Sequence, residues 1–206
     1  MPKPGNFNTC HWHGVQQTRT KTYICGYCGS KVSSERGLPI VSQNGAHFAG
    51  CFICPNCQAA TYFPPGGGLE QIPGSTFGND VAHVPAELHT LYCETRDCVS
   101  NGNYTASVLL CRKMLMNIAV QQGAEHNLAF IKYVDYLSDK GFVPPHGKQW
   151  VDHIRKKGNE ANHEITLMSE KDAKELVIFV EMLLKFIYEF PNLIPKEPTA
   201  ASNPSN

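Results

Sequence analysis

Two pairs of cysteines are the residues of this sequence whose type and spacing most directly indicate chemistry. Cys25 and Cys28 form one Cys-x2-Cys pair, and Cys54 and Cys57 form another, with 25 residues between the pairs. Two thiolates three positions apart at a tight turn can occupy two corners of a tetrahedron, while backbone N–H groups of the turn donate to the sulfurs. Four cysteine ligands fill the coordination sphere of Zn²⁺, so the spacing predicts a structural zinc ion rather than a catalytic one.

Other cysteines and histidines leave the set of metal ligands partly open. Cys51 also forms a Cys-x2-Cys pair with Cys54, but we prefer to place it on the strand that enters the second turn. Cys51 could instead join a second metal site near the start of the chain, the alternative being a partly ordered N-terminal segment. The donors available for that site are Cys10, His11 and His13. His47 would be a ligand only if one of the four preferred cysteines is not.

Short strands must position the cysteine pairs. The sequence from 37 to 50 predicts a hairpin that turns at Asn44-Gly45, and the sequence from 60 to 64 predicts a further strand. Together with the cysteine spacing, this pattern predicts a zinc ribbon over residues 1–62. Residues 63–84 are rich in Pro and Gly without an apolar period, which is typical of a linker.

From Pro85 onward the apolar residues recur with the period of a helix. We predict an all-α bundle of four or five helices over residues 85–190, and a disordered, Pro-rich tail over residues 191–206. Ser169 and Asp172 form a capping arrangement at the start of the last helix, which we expect to end at Pro191. The predicted helices lie within residues 85–102, 103–123, 128–141, 147–158 and 169–190.

The second predicted helix is apolar on nearly all sides, so we expect it to be the most buried. Its main stripe consists of Val108, Cys111, Leu115 and Ile118, with Leu109, Leu110 and Met114 beside it. Arg112 lies among these residues. An unpaired charge there would be costly, so we expect Arg112 to reach a buried carboxylate or carbonyl.

Residues from about 85 to 190 resemble the domain-of-unknown-function family 4145. The matching segments are NYTASVLLCRKML, LAFIKYVDYLSDKGFVP, IRKKGNEANHE and SEKDAKELVIFVEMLLKFIYEFP. The resemblance implies an all-helical prokaryotic domain that occurs alone, behind zinc ribbons, or fused to restriction and other defence enzymes. That family in turn resembles the HEPN helical domains, many of which are metal-independent ribonucleases that work as dimers.

The HEPN resemblance suggests catalytic roles for Arg155, Asn159 and His163. RNA supplies its own 2′-OH nucleophile, so a histidine that moves protons and an arginine that neutralises phosphate charge would suffice. The HEPN signature is Arg, a polar residue, three variable residues and His. In this sequence Gly158 occupies the arginine position, and the nearest arginine is Arg155.

A structural role for the same segment is the alternative that we favour. Gly158 would end one helix, Asn159 would cap the next, and His163 would donate to a backbone carbonyl. Arg155 would then pair with a nearby carboxylate, for which the sequence offers Asp152, Glu160 and Glu164. Lys156 and Lys157 add positive charge beside the segment, which keeps a phosphate-handling site open.

Charge and composition limit the class of protein. Residues 1–60 contain five Lys and Arg against one acidic residue, whereas the rest of the chain has thirteen against seventeen. Binding of Zn²⁺ by four thiolates would lower the charge of the first segment from +4 to +2, a weakly basic surface. The longest apolar run is interrupted by Glu181 and Lys185 and no leader opens the chain, so we expect a cytoplasmic protein that does not span a membrane.

Two functions from different classes remain. The first is a binding or adaptor module whose zinc ribbon contacts RNA, DNA or a protein partner of a defence or restriction system, and whose bundle forms a homodimer. The second is a metal-independent endoribonuclease in which His163 is the general acid and base while Arg155 and Asn159 hold the phosphate.

Overall fold

The computed structural model describes residues 11–41, 47–65, 71–143, 152 and 167–193. In this part of the chain a small antiparallel sheet of four strands comes first and helices follow. This order confirms the predicted succession of a β module and a helical region.

The sheet is an antiparallel meander in which each strand pairs with its neighbour in sequence. Its strands are β1 (Gln16–Ile24), β2 (Lys31–Val41), β3 (His47–Ile53) and β4 (Ala60–Phe63). The predicted hairpin is the β2–β3 pair, while the turn residues Asn44 and Gly45 lie outside the described residues. Because successive connections alternate between the ends of a meander, the β1–β2 and β3–β4 turns lie at the same end.

An aromatic cluster supports this sheet. Phe63 packs edge-to-face on Tyr23 and on Phe52, with ring centroids 5.2 Å and 5.5 Å apart. Tyr23 and Phe63 are buried together with Cys25 and Cys54. The core of the β module is therefore small, and cysteines form part of it.

The segment from 71 to 85 contacts both the sheet and the helices. Gln71 donates its side-chain amide to the carbonyl of Ile24, 2.9 Å away, and Ser100 donates its hydroxyl to the carbonyl of Ser75, 2.8 Å away. At Gly74 an added Cβ would lie 1.7 Å from the carbonyl oxygen of Ser100, so only glycine permits this approach.

The principal helices are α1 (Ala86–Ser100), α2 (Tyr104–Gln121), α3 (Phe130–Asp139) and α4 (Glu170–Leu184). The helix predicted over residues 147–158 lies outside the described residues, apart from Asp152. As expected, α1 ends at Asn101-Gly102. Gly102 there has a φ of 76° and donates its N–H to the carbonyl of Val99. No helix among the described residues is long and apolar enough to cross a membrane.

Helix α2 lies at the centre and packs against α1, α3 and α4. The predicted stripe of Val108, Cys111, Leu115 and Ile118 is fully buried, as is Met114. Leu109 differs from the prediction, because 42% of it is exposed. The helix is thus amphipathic rather than buried on every side.

The last helix begins as predicted and ends later than predicted. Ser169 and Asp172 form a capping box, in which each side chain accepts from the other residue's backbone N–H. Pro191, however, does not stop the helix. A π-helical turn, Lys185–Glu189, leads into a final turn, α5 (Phe190–Leu193), and the N–H of Phe190 donates to the carbonyl of Lys185, five residues back. In a regular α-helix, proline lacks the N–H that would donate to the carbonyl four residues back, and its ring clashes with that carbonyl. We attribute the longer helix to the π-helical turn before Pro191, which replaces the regular α geometry on which this exclusion depends.

Candidate metal centre

Two similar turns hold the four predicted cysteine ligands. In the β1–β2 turn the N–H of Gly29 donates to the carbonyl of Cys25 at 2.8 Å, and the N–H of Cys25 donates to the carbonyl of Ser30 at 3.0 Å. In the β3–β4 turn the N–H of Gln58 donates to the carbonyl of Cys54 at 2.9 Å, and the N–H of Cys54 donates to the carbonyl of Ala59 at 2.9 Å. The two turns therefore have the same hydrogen-bond pattern at equivalent positions.

Each turn also places one residue in the left-handed conformation, four positions after its first cysteine. The first turn uses Gly29, with a φ of 69°, and the second uses Gln58, with a φ of 60°. Glycine adopts this conformation without steric cost, whereas glutamine does not. The indole of Trp12 donates to the carbonyl of Gln58 at 2.8 Å, which helps to hold the second turn.

The four sulfur atoms of the turns converge on one point. Cys25 and Cys57 have their Sγ atoms 3.8 Å apart, as do Cys28 and Cys54. All four Sγ atoms lie within 4.8 Å of one another. A tetrahedron with Zn–S bonds of about 2.3 Å has edges of about 3.8 Å. The spacing is far above the S–S bond of about 2.05 Å in a disulfide. The donor set therefore fits a tetrahedral zinc ion.

The environment of the thiols is consistent with a bound cation. Cys25 and Cys54 are fully buried. Burial raises the pKa of Cys25 and that of Cys57. Burial also opposes ionisation of Cys28, but hydrogen bonds from Ser30 and Asn56 outweigh it and lower the pKa of this thiol to about 6. Four thiolates in such a small volume repel one another, so their joint ionisation requires a positive ion between them.

The remaining predicted donors do not join this cluster. Cys51 lies on β3, where it pairs with Leu38 and Tyr62, as expected of a strand residue. His11 and His13 are exposed, and Cys10 lies outside the described residues, so the proposed second site with Cys51 stays a prediction. The side chain of His47 is likewise not described.

The residues of the predicted ribonuclease site, Arg155, Asn159 and His163, lie outside the described residues, as does Gly158. Their catalytic and structural interpretations therefore both stay predictions. Arg112 is described, and among the described residues its neighbour is an aromatic ring rather than the expected carboxylate or carbonyl. Its guanidinium lies 4.2 Å from the centre of the Phe130 ring, and its buried Nη1 has no hydrogen-bond partner among the described residues. Attraction to the aromatic face stabilises the Arg112 cation at this position.

A second group of potential metal ligands was not found from the sequence. Asp80, His89 and Cys93 bring a carboxylate oxygen, an imidazole nitrogen and a thiol sulfur within 4.8 Å of one another. The four-residue spacing of His89 and Cys93 was a usable signal, because residues i and i+4 of a helix are neighbours. Asp80 lies in the predicted linker, where sequence alone does not indicate a contact.

Comparison with known proteins identifies a family. The family model described as Domain of unknown function (DUF4145) matches residues 93–200, which is just over half of the chain. No curated protein matches the chain. No solved structure matches it. The matched residues include most of the helical region, whereas the four clustered cysteines precede them.

Proposed function

The chain belongs to the family Domain of unknown function (DUF4145), and we propose that it is a binding protein in which a four-cysteine zinc ribbon is joined to a HEPN-like helical bundle. The observation that carries this proposal is the convergence of Cys25, Cys28, Cys54 and Cys57. A zinc ion held there by four thiolates has no open position for water or substrate. Such an ion stabilises the β module and leaves the function to the module's surface.

That surface contains a basic groove, which we define by Thr18, Arg19, Thr20, Lys21, Pro39, Ala49, Phe52 and Phe63. Arg19 and Lys21 are exposed on β1, and no acidic residue lines the groove in the described part of the chain. The Lys21 ammonium lies 4.6 Å from the centre of the Phe63 ring. The contact with this buried ring holds the Lys21 ammonium at the groove, where it and Arg19 suit a phosphate backbone.

We therefore propose nucleic acid as the partner of the basic groove, bound mainly through phosphates. The surface is only weakly basic, which favours modest affinity with a strong dependence on salt. A defence or restriction setting is part of the proposal and is supported by the enzymes to which the resembled family is fused. Zinc would hold the β1–β2 turn in place and so stabilise the end of β1, the strand that carries Arg19 and Lys21.

Zinc content and nucleic-acid binding test the proposal together. After dialysis we expect one tightly bound zinc per chain by mass spectrometry of metals, and loss of that zinc in Cys54→Ser. Fluorescence anisotropy with labelled single-stranded RNA and DNA should show salt-dependent binding. The Arg19→Ala/Lys21→Ala variant should bind at least tenfold more weakly, with its slope of log affinity against log salt reduced by about 1.5.

A matched control distinguishes the loss of cations in the groove from the loss of positive charge elsewhere on the protein. Lys132→Ala/Lys171→Ala removes two exposed cations from the helical region and should leave the affinity unchanged within about twofold. Equal losses in both double variants would show that the groove is not the binding surface. A protein that binds neither nucleic acid at low salt would contradict the proposed partner, and absence of zinc would contradict the metal site.

A further inference from the structure

A second cluster of donor atoms lies at the start of α1, away from the four clustered cysteines. Asp80 Oδ1 and His89 Nε2 are 2.9 Å apart, and Cys93 Sγ lies 4.0 Å from the same His89 nitrogen. All three donor atoms lie within 4.8 Å of one another. Bonds of about 2.0–2.3 Å at tetrahedral angles put the ligand atoms of one small cation roughly 3.3–3.8 Å apart. The hydrogen-bonded Asp80–His89 pair is closer than this and Cys93 is slightly farther, so a bound cation would move these atoms by only a few tenths of an ångström.

Helix α1 and the loop before it bring the side chains of Asp80, His89 and Cys93 together. His89 and Cys93 are four residues apart on α1, so both project from the same side of the helix. Asp80 reaches them from the preceding loop, which is fastened to α1. Arg96 donates to the carbonyls of Phe77 and Gly78 at 2.9 and 2.8 Å, and the hydroxyl of Tyr92 donates to the carbonyl of Asn79 at 2.9 Å.

The loop is also fastened to the other side of the helical core. Asn79, the neighbour of Asp80, is bound through its backbone and its side chain to the carboxylate of Glu181 on α4. Asp80 is therefore held in place by groups that are not themselves part of the cluster. A metal site needs such support, because ligands that must first be ordered bind with lower affinity.

The types of the three donor atoms indicate which cations would bind. One sulfur, one imidazole nitrogen and one carboxylate oxygen suit Zn²⁺ or Co²⁺, whereas Mg²⁺ and Ca²⁺ prefer oxygen ligands alone. The ionised Asp80 and Cys93 would balance the charge of a divalent ion. The guanidinium of Arg96 lies 3.9 Å from Asp80, and its positive charge lowers the affinity for any cation.

Solvent reaches the cluster on one side. The side chain of Asp80 is 74% exposed and that of His89 is 36% exposed, while Cys93 is half-buried. No fourth Cys, His, Asp or Glu joins these three among the described residues. A tetrahedral ion bound here would keep one position for water or another small ligand, in contrast to an ion held by four cysteines.

We propose that Asp80, His89 and Cys93 form a second metal site, which binds Zn²⁺ or Co²⁺ through three side chains and leaves one coordination position open to solvent. The site is weaker than the four-cysteine site and exchanges its ion more readily. It does not depend on nucleic-acid binding by the basic groove. The competing explanation is a hydrogen-bonded His–Asp pair with a thiol nearby that binds no metal.

A cobalt titration distinguishes these explanations. The full chain is first given one equivalent of zinc, which the stronger four-cysteine site takes; its zinc content is measured, and Co²⁺ is then added. We expect one further equivalent of metal, with a near-ultraviolet absorption band from the cobalt–thiolate bond and a visible band typical of four-coordinate cobalt. Measurement of retained zinc shows whether cobalt has entered the four-cysteine site instead.

Variants identify the ligands. Cys93→Ser should abolish the cobalt–thiolate band, and His89→Ala should weaken cobalt binding at least tenfold. Cys98→Ser is the matched control, because Cys98 is also a half-buried cysteine of α1 but is not in the cluster. It should bind cobalt as the wild type does. Circular dichroism shows that each variant keeps its helices.

Either of two results would overturn the second site. The first is a wild type that holds one equivalent of zinc and takes up no cobalt at a tenfold excess. The second is a cobalt–thiolate band that persists in Cys93→Ser. Neither result affects the zinc content attributed to the four clustered cysteines, so failure of the second site is distinct from failure of the proposed function.

Discussion

Asn79 binds both carboxylate oxygens of Glu181, from a position 102 residues earlier in the chain. Its backbone N–H donates to Oε2 at 2.9 Å and its side-chain amide donates to Oε1 at 2.8 Å. Lys185 also donates to this carboxylate, which is largely buried, and the Tyr92 hydroxyl that donates to the carbonyl of Asn79 lies 3.3 Å from Oε2. Glu181 thus joins the loop that precedes α1 to the last turn of α4.

Glu181→Gln should destabilise the protein, because a neutral amide cannot accept as strongly from all of these donors and leaves the Lys185 ammonium unpaired. Loss of charged hydrogen bonds in a buried setting costs about 1–3 kcal/mol. The decrease is measured as a change in the free energy of unfolding in urea. Glu125→Gln is the control, since Glu125 is exposed and lies outside the helices, where loss of a surface charge costs less than about 0.5 kcal/mol. Equal changes in the two variants would contradict the role given to Glu181.

The same carboxylate predicts a dependence of stability on pH. Burial opposes ionisation of Glu181, but Lys185 and Asn79 outweigh burial and hold its pKa below the usual range. A carboxyl whose pKa is lower in the folded state stabilises the protein above its unfolded pKa of about 4.3, and this stabilisation is lost as pH falls through the folded pKa. The gap in stability between wild type and Glu181→Gln should therefore be constant near neutral pH and should narrow below about pH 4. A gap that widens on acidification would contradict this assignment.

The sequence predicted those parts of the structure that depend on local spacing. Two Cys-x2-Cys pairs specified both turns, and Ser169 with Asp172 specified the start of α4, because each motif is complete within a few residues. The Asp80 cluster could not be predicted in the same way, since it depends on a loop held by Glu181 from the far end of the chain. Pro191 was misleading for a related reason: the rule that proline ends a helix assumes regular α geometry, which the π-helical turn replaces.

The two cysteine turns offer a paired test of backbone strain. Gly29→Ala adds a Cβ that contacts nothing within 4 Å, so its cost comes from the left-handed conformation alone. We expect a loss of about 1 kcal/mol in the free energy of unfolding of the zinc-loaded protein. Gln58→Gly relieves the same strain at the equivalent position of the second turn, and we expect a gain of up to about 1 kcal/mol. Opposite signs in the two variants support equivalent turns, whereas destabilisation by Gln58→Gly would contradict them.

The C-terminal helices carry an exposed apolar strip, made of Ile178, Phe186, Phe190 and Leu193. Phe186 is 48% exposed, and its ring packs edge-to-face on that of Phe190 at 5.3 Å. We propose that this strip forms the homodimer contact of the bundle, because large apolar side chains in one strip mark a surface that favours association. Light scattering after size-exclusion chromatography should give the mass of a dimer for wild type and of a monomer for Phe186→Asp.

The control for the dimer is Leu109→Asp, which changes a similarly exposed apolar residue on α2. It should remain dimeric. A wild type that stays monomeric at every concentration up to about 1 mM, a range that covers weak association, would contradict the dimer. Dissociation by Leu109→Asp alone would place the contact on α2 instead.

The ribonuclease alternative predicts cleavage of RNA without added metal, with Arg155, Asn159 and His163 as the working groups. We expect no cleavage, because Gly158 occupies the position at which the HEPN signature has its arginine, and a protein that lacks a cation there loses the charge that stabilises the phosphate in the transition state. Mixed RNA is incubated with wild type and with His163→Ala in EDTA, and the zinc content is measured afterwards to show that the four-cysteine site remained loaded. His126→Ala removes an exposed histidine elsewhere in the helical region and serves as the control. Cleavage by wild type and by His126→Ala, but not by His163→Ala, would replace the binding function with an enzymatic one.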